Sequence, residues 1–230
     1  MIDHRGPVDH AHREAGATFI KVSGRDIVAD FGDPDGEIAI THRLGLADLS
    51  HLPRVGFRGP GTRQWLALQG IQVPHDPNRA DLQPDGGLAI SRSWTELLLL
   101  ADLYGASKVC ARLESMRDEA KDSGAFVLPR YDGMFWFALS GERAIACLAK
   151  LCGVDMRQVA FPPGSVAQTS VARMTAVVVR RNIGVTPMFH VLGDSASAEY
   201  LWGSLIDAMR EFDGRPVGLG AMRALAGEFE

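Results

Sequence analysis

The sequence predicts an α+β protein made of two repeated halves, residues 1–124 and 125–230, each running strand, glycine turn, helix, loop, strand, strand, helix. Three observations predict it. Short alternating or apolar runs of strand length are interleaved with stretches whose apolar residues recur at helical spacing. The order of elements occurs twice in register: Gly59 is followed six and seven positions on by the apolar pair Trp65 and Leu66, and Gly141 at the same offsets by Cys147 and Leu148. Finally, 230 residues suffice for one large domain or two small ones at roughly 100–200 residues each. Two copies, each of which would leave a sheet face open, can then share a core.

In chain order, the stretch up to Gly36 reads as loop, punctuated by Gly6-Pro7, Gly16, Gly24 and the turn Gly32-Asp33-Pro34-Asp35-Gly36. Residues 37–44 open as a short helix. Residues 54–58 alternate and read as a strand, which Gly59-Pro60-Gly61 ends. Residues 62–69 read as a helix with Thr62 as its N-cap. Residues 74–79 carry two prolines and cannot be regular, because proline removes a donor and restricts its predecessor. Residues 88–92 and 96–100 read as strands joined near Ser93-Trp94. Residues 106–120 read as one helix, with Val109, Leu113 and Met116 at helical spacing, and a polar linker over 121–124 follows. The second half gives a strand over 134–139, a helix over 142–152, a loop over 155–165, strands over 172–180 and 188–192, and an amphipathic helix over 197–212.

Composition narrows the function classes. Hydrophobic residues at 46% and charged residues at 23% exclude a disordered, collagen-like or disulfide-scaffold chain. A formal charge of −4 offers no basic footprint for nucleic acid. Cys110, Cys147 and Cys152 are odd in number and lack CxxC spacing, which fits a reducing compartment and implies no metal site. The start shows no apolar leader segment and no run approaches a membrane span, so a soluble cytoplasmic protein is expected, with no membrane partner. Phosphate-loop, zinc-protease and nucleophile-elbow signatures are absent, and Gly218-Leu219-Gly220 is expected to follow a helix rather than link strand to helix.

Read from chemistry alone, few residues stand out. His4, His10 and His12 crowd the N-terminus and read as a solvated segment rather than a metal cluster. Adjacent Ser50 and His51 suit a strand-capping turn better than a nucleophile–base pair, and Asp48 beside them suits a backbone cap. Glu96 opens an apolar strand and needs a partner if buried. His190 alternates with apolar neighbours and faces either water or a hydrogen-bonded core. Trp65, Trp94, Trp136 and Trp202 read as core.

Longer stretches carry a family likeness. FGDPDGEIAITHRLGLADLSHLPRVGFRGPGTRQWL and ASAEYLWGSLIDAMREFDGRPVGLGAMRALAGE resemble the aminomethyltransferase (T-protein) of the glycine cleavage system. LSGERAIACLAKLCGVDMRQVAFPPGSVAQTSVARM and FHVLGDSASAEYLW look more like the gamma subunit of heterotetrameric sarcosine oxidase. The resemblance implies the T-protein folate-binding fold, here without the C-terminal barrel domain into which a full-length transferase continues. It also implies a tetrahydrofolate pocket, for which Glu96, His190 and Arg223 are the cofactor-binding candidates. The chain departs from that pattern. The acidic pair expected before the strand at 88–92 is missing, and His190 takes the place of a pterin-holding glutamate. Met222 stands where the family has arginine, with Arg223 next to it. No residue is assigned a catalytic role. The likeness therefore implies a gamma-type accessory subunit of a multi-subunit sarcosine oxidase, or of a related N-methyl amino acid oxidase or dehydrogenase, beside larger flavoprotein subunits. The alternatives are a stand-alone tetrahydrofolate-dependent aminomethyltransferase or demethylase and a non-catalytic folate-binding protein.

Overall fold

Two glycines set the frame. In the computed structural model, which describes residues 6–228, Gly59 and Gly141 both hold left-handed backbone angles, φ +138° and +108°. A Cβ on Gly59 would lie 2.2 Å from the Gly124 carbonyl oxygen, and one on Gly141 2.4 Å from that of Arg43. Only a residue without a side chain fits such a turn against neighbouring backbone. In both halves the strand before the glycine hands over to a helix that starts three residues after it.

The chain opens with α1 (Asp9–Glu14), the hairpin β1 (Thr18–Val22) and β2 (Arg25–Asp30), α2 (Pro34–Arg43) and β3 (Gly45–Asp48). The first repeat is β4 (Arg54–Arg58), α3 (Thr62–Leu68), β5 (Arg79–Leu82), β6 (Leu88–Ser93), β7 (Glu96–Leu100), α4 (Val109–Ser115) and α5 (Arg117–Asp122). After β8 (Phe126–Pro129) the second follows: β9 (Met134–Ser140), α6 (Ala144–Ala149), β10 (Val166–Val171), β11 (Met174–Arg180), β12 (Met188–Asp194) and α7 (Ala198–Met209). Strand β13 (Arg215–Pro216) and helix α8 (Leu219–Gly227) close the chain. The α+β class and its repeated halves thus stand, with four strands in each repeat where the sequence suggested three, and with β1, β2, β3, β8 and β13 outside the repeats.

The sheets have matching strand orders, β5-β6-β7-β4-β8 and β10-β11-β12-β9-β3-β13. The strand that leads into each repeat pairs with the other one. β3 precedes β4 in the chain but lies antiparallel to β9, with Gly45 opposite Ser140. β8 precedes β9 but lies antiparallel to β4, with Arg58 opposite Phe126. This exchange makes the two compact units discontinuous: Met1–His51, Met134–Pro163 and Ala167–Glu230 form one, and Leu52–Gly133 with Gly164–Val166 the other. The residue 124/125 division expected from sequence falls inside the second unit, just ahead of β8.

Several local expectations change. The glycine-rich N-terminus holds α1 and a β-hairpin rather than loop, because Ser23 and Gly24, both at positive φ, make a two-residue turn that pairs Val22 with Arg25. Thr62 is the first residue of α3 rather than its cap; Gly61 occupies the cap and no side chain bonds there. The single helix expected over 106–120 breaks at Met116 (φ −88°, ψ 28°) into α4 and α5. The helix expected over 142–152 shortens to α6, and the strand expected over 172–180 is the second arm of a hairpin that turns through Ala172 and Arg173, both at positive φ. Gly218 does lie between a strand and a helix, β13 and α8, contrary to expectation. Its N–H donates at 2.7 Å to buried Glu37, so a carboxylate of the protein already occupies the helix N-terminus where a phosphate would bind.

In the first unit, Phe135, Phe137, Leu139, Val178, Phe189 and Val191 of the six-stranded sheet pack with Leu148 of α6 and Leu201, Trp202 and Leu205 of α7. In the second, Val55, Phe57, Leu97 and Leu99 pack with Trp65 and Leu66 of α3 and Leu113 of α4. No helix among the described residues is long and apolar enough to cross a membrane. Gly141→Ala should therefore destabilise the protein by about 1–3 kcal/mol in urea unfolding. Gly153→Ala, where an added Cβ meets nothing within 4 Å, should change it by less than about 0.5 kcal/mol.

Candidate functional site

Strand alternation gives the six-stranded sheet two chemically different faces. On β12, Phe189 and Val191 join the core with α6 and α7, so Met188, His190 and Leu192 take the opposite face. Register carries that face across the sheet. His190 stands opposite Ala138 of β9 and Val179 of β11, and Leu192 opposite Trp136. Beyond the end of β11 the Arg181 N–H donates to the Met188 carbonyl at 2.8 Å, so Arg181 continues the alternation onto the same face.

His190 is 2% exposed. The Trp136 indole Nε1–H donates to its Nδ1 at 2.9 Å. An indole nitrogen can only donate, so Nδ1 must be the acceptor and the neutral ring carries its proton on Nε2. That Nε2–H is buried and has no hydrogen-bond partner among the described residues. Burial, and secondarily the positive charge of Arg181, push the His190 pKa down to about 3. Trp136 is itself placed by backbone: its carbonyl accepts from the Leu49 N–H at 2.8 Å and its N–H donates to the Ser50 hydroxyl at 3.0 Å.

The face toward α7 carries a second buried histidine. His12 Nε2 lies 3.0 Å from Asp48 Oδ2, with the side chains 4% and 8% exposed. The rings of Trp202 and Phe31 stand edge-on to His12, centroids 4.8 and 5.9 Å away. Burial raises the Asp48 pKa, but the hydrogen bond and charge of His12 and two bonds from Ser50 outweigh it, and the net value is lowered. One of those bonds, Ser50 N–H to Asp48 Oδ1 at 2.9 Å, is the backbone cap expected of Asp48. A cavity of about 10 Å³ beside the pair is lined by Asp9, His12, Asp26, Asp48 and His51. That volume holds about one water molecule.

These placements correct the reading of the N-terminal histidines. His12 is a buried member of a network rather than part of a solvated segment, whereas His10 is exposed and His4 lies outside the described residues. The missed signal was the pairing of α1 with the turn at Asp48, which spans 36 positions of sequence. No group of three or more His, Cys, Asp or Glu among the described residues could hold a metal ion. Three tryptophans are core as expected, but Trp94 is 60% exposed beneath the Arg63 guanidinium.

The three sequence-proposed binding residues divide between the units. Glu96 opens β7 in the second unit, where Arg92 at 2.5 Å and Arg130 at 3.6 Å already flank its carboxylate. His190 and Arg223 belong to the first unit, His190 buried on β12 and Arg223 half-buried on α8.

Comparison with known proteins fits this architecture. Residues 87–229 match the model of the GCVT N-terminal domain. The chain belongs to the GCVT N-terminal domain family. Among curated relatives, the aminomethyltransferase of Streptomyces avermitilis is 28% identical over 92% of this chain and 58% of its own length. That of Koribacter versatilis is 24% identical over 93% and 60%. The chain thus spans about three fifths of the length of these relatives. Among solved structures, the glycine cleavage system aminomethyltransferase T from Bartonella henselae superposes with a TM-score of 0.76 at 18% identity, over 97% of this chain and 62% of that one. A chain of the heterotetrameric sarcosine oxidase from Corynebacterium sp. U-96 superposes with a TM-score of 0.67 at 19% identity, over 92% of this chain and 97% of that one.

Two outcomes follow. Between pH 6.5 and about 3 the unfolded chain holds a proton on His190 that the folded chain does not, so stability should fall as pH drops through that window, whereas Asp48 adds its loss only below 3.8. Thermal midpoints measured from pH 7 to pH 4 should fall less steeply in His190→Gln, whose amide oxygen can still accept from Trp136. Asp48→Ala should cost about 3 kcal/mol or more in urea unfolding, because it strands a buried histidine, and should cost less in a His12→Phe background.

Proposed function

We propose that this chain is a gamma-type accessory subunit of a multi-subunit sarcosine oxidase or a related N-methyl amino acid oxidase or dehydrogenase. It acts in the cytoplasm beside larger flavoprotein subunits, and it keeps the scaffold of the folate enzymes without their chemistry. One observation carries this reading: the polar capacity left at His190. A glutamate at this position offers two oxygens to the paired N–H donors of a pterin. The neutral imidazole has a single acceptor, Nδ1, and Trp136 Nε1–H fills it. What remains is a donor facing donors. A pterin held as the family resemblance implies does not fit here, and no step through tetrahydrofolate is derived.

Two facts support the same side. The strand at 88–92 carries no carboxylate to steady positive charge on a reacting nitrogen. A transferase or demethylase would lean on Glu96 and Arg223, yet Glu96 is already flanked by two arginines.

Isothermal titration of the purified chain with tetrahydrofolate should give no saturable heat, and the tagged chain recovered from its native cells should carry a flavin-absorbing partner. Saturable binding that Arg223→Ala weakens, with no such partner, would make the chain a stand-alone folate enzyme instead.

A further inference from the structure

The same sheet face holds buried polar groups that find no partner among the described residues. Arg181 stands opposite Met188, diagonal to His190 on the neighbouring strand. Ser140 stands opposite Met188 on the other side, diagonal to His190 across β9. Diagonal positions of this kind lie about 7–8 Å apart, within the reach of long side chains. Three polar groups result. The His190 Nε2–H and the Ser140 hydroxyl are both buried and have no partner among the described residues. The Arg181 guanidinium is half-buried, and no carboxylate lies within ion-pair distance of it among the described residues. The remaining residues of this face over β9, β11 and β12 are Met134, Trp136, Ala138, Thr175, Val177, Val179, Met188, Leu192 and Asp194; Asp194, the one carboxylate among them, is exposed at the far end of β12, four residues from His190, and already accepts from the Ala196 N–H.

Protein interiors rarely leave a buried imidazole N–H and a buried hydroxyl unpartnered beside an unpaired cation, and each such group calls for an explanation. A single water can make about three hydrogen bonds but leaves the positive charge unmatched. A planar monoanion with two oxygens answers all three: one oxygen for the guanidinium fork, the other for the imidazole N–H, with the hydroxyl donating to either. We propose that Arg181, His190 and Ser140 form a subsite for the carboxylate group of a small organic or amino acid, entered from the side of Arg181, the only one of the three that is not fully buried. The Trp136 hydrogen bond makes the subsite selective, since it holds His190 as a donor and so favours acceptors over N–H-bearing rings. The subsite does not depend on whether the chain serves as a subunit.

The test uses the full chain labelled with ¹⁵N-histidine, titrated with sodium acetate while sodium chloride holds the ionic strength constant. The His190 Nε2–H resonance should shift and saturate with acetate, and chloride alone should leave it in place. Arg181→Met should weaken acetate binding about tenfold or more, as expected for loss of a charged hydrogen-bond donor. Arg181→Lys should retain most of it. Ser140→Ala, a substitution small enough to leave the fold intact, should weaken it by a smaller factor. A resonance indifferent to acetate, an equal response to chloride, or Arg181→Met and Ser140→Ala both titrating like the native chain would overturn the proposal.

Discussion

A single hydrogen bond decides what the buried polar site at His190 can do. Trp136 Nε1–H to His190 Nδ1, at 2.9 Å, spends the only acceptor that a neutral imidazole owns. Burial keeps the ring neutral far below the ordinary histidine range, and the charge of Arg181 pushes the same way. The ring is therefore a fixed donor throughout the physiological range. Chemistry that needs an acceptor or a general base at this place has none; chemistry that needs a donor has one already oriented.

The orientation is set from some distance. Helix α1 brings His12 to Asp48, and Asp48 caps the Ser50 N–H. The Ser50 hydroxyl and the Leu49 N–H then hold both backbone groups of Trp136. Trp136 projects to the other side of the sheet and fixes His190. A buried pair on one face thus positions the tryptophan that defines the polar group on the opposite face. This gives the N-terminal helix a purpose within the scaffold beyond covering apolar surface.

The repeat was legible in the sequence because its marker is steric. A left-handed turn packed on backbone admits only glycine, so Gly59 and Gly141 announced the same strand-to-helix corner twice, and the apolar pairs after them fell on the buried face of each helix. The strand exchange was not legible. β3 and β8 are four residues each, and nothing local in Gly45–Asp48 or Phe126–Pro129 says which distant strand will take their hydrogen bonds. The N-terminal hairpin was hidden because its glycines read as loop, whereas Gly24 serves the tight turn that joins two strands. At the site, the alternation around His190 left two faces open, and only the pairing with Trp136, 54 positions away, chooses between them. Arg181 carried no signal at all, because its role depends on a register that runs past the end of its strand.

The tautomer of His190 bears most directly on this account. A long-range ¹H–¹⁵N spectrum of the ligand-free protein at neutral pH reports it without reference to any partner or ligand. The account predicts a neutral ring with the proton on Nε2 and an acceptor-type Nδ1, converting to a ring protonated on both nitrogens in Trp136→Phe only on acidification. A proton on Nδ1, or a doubly protonated ring in the native protein at that pH, would contradict it.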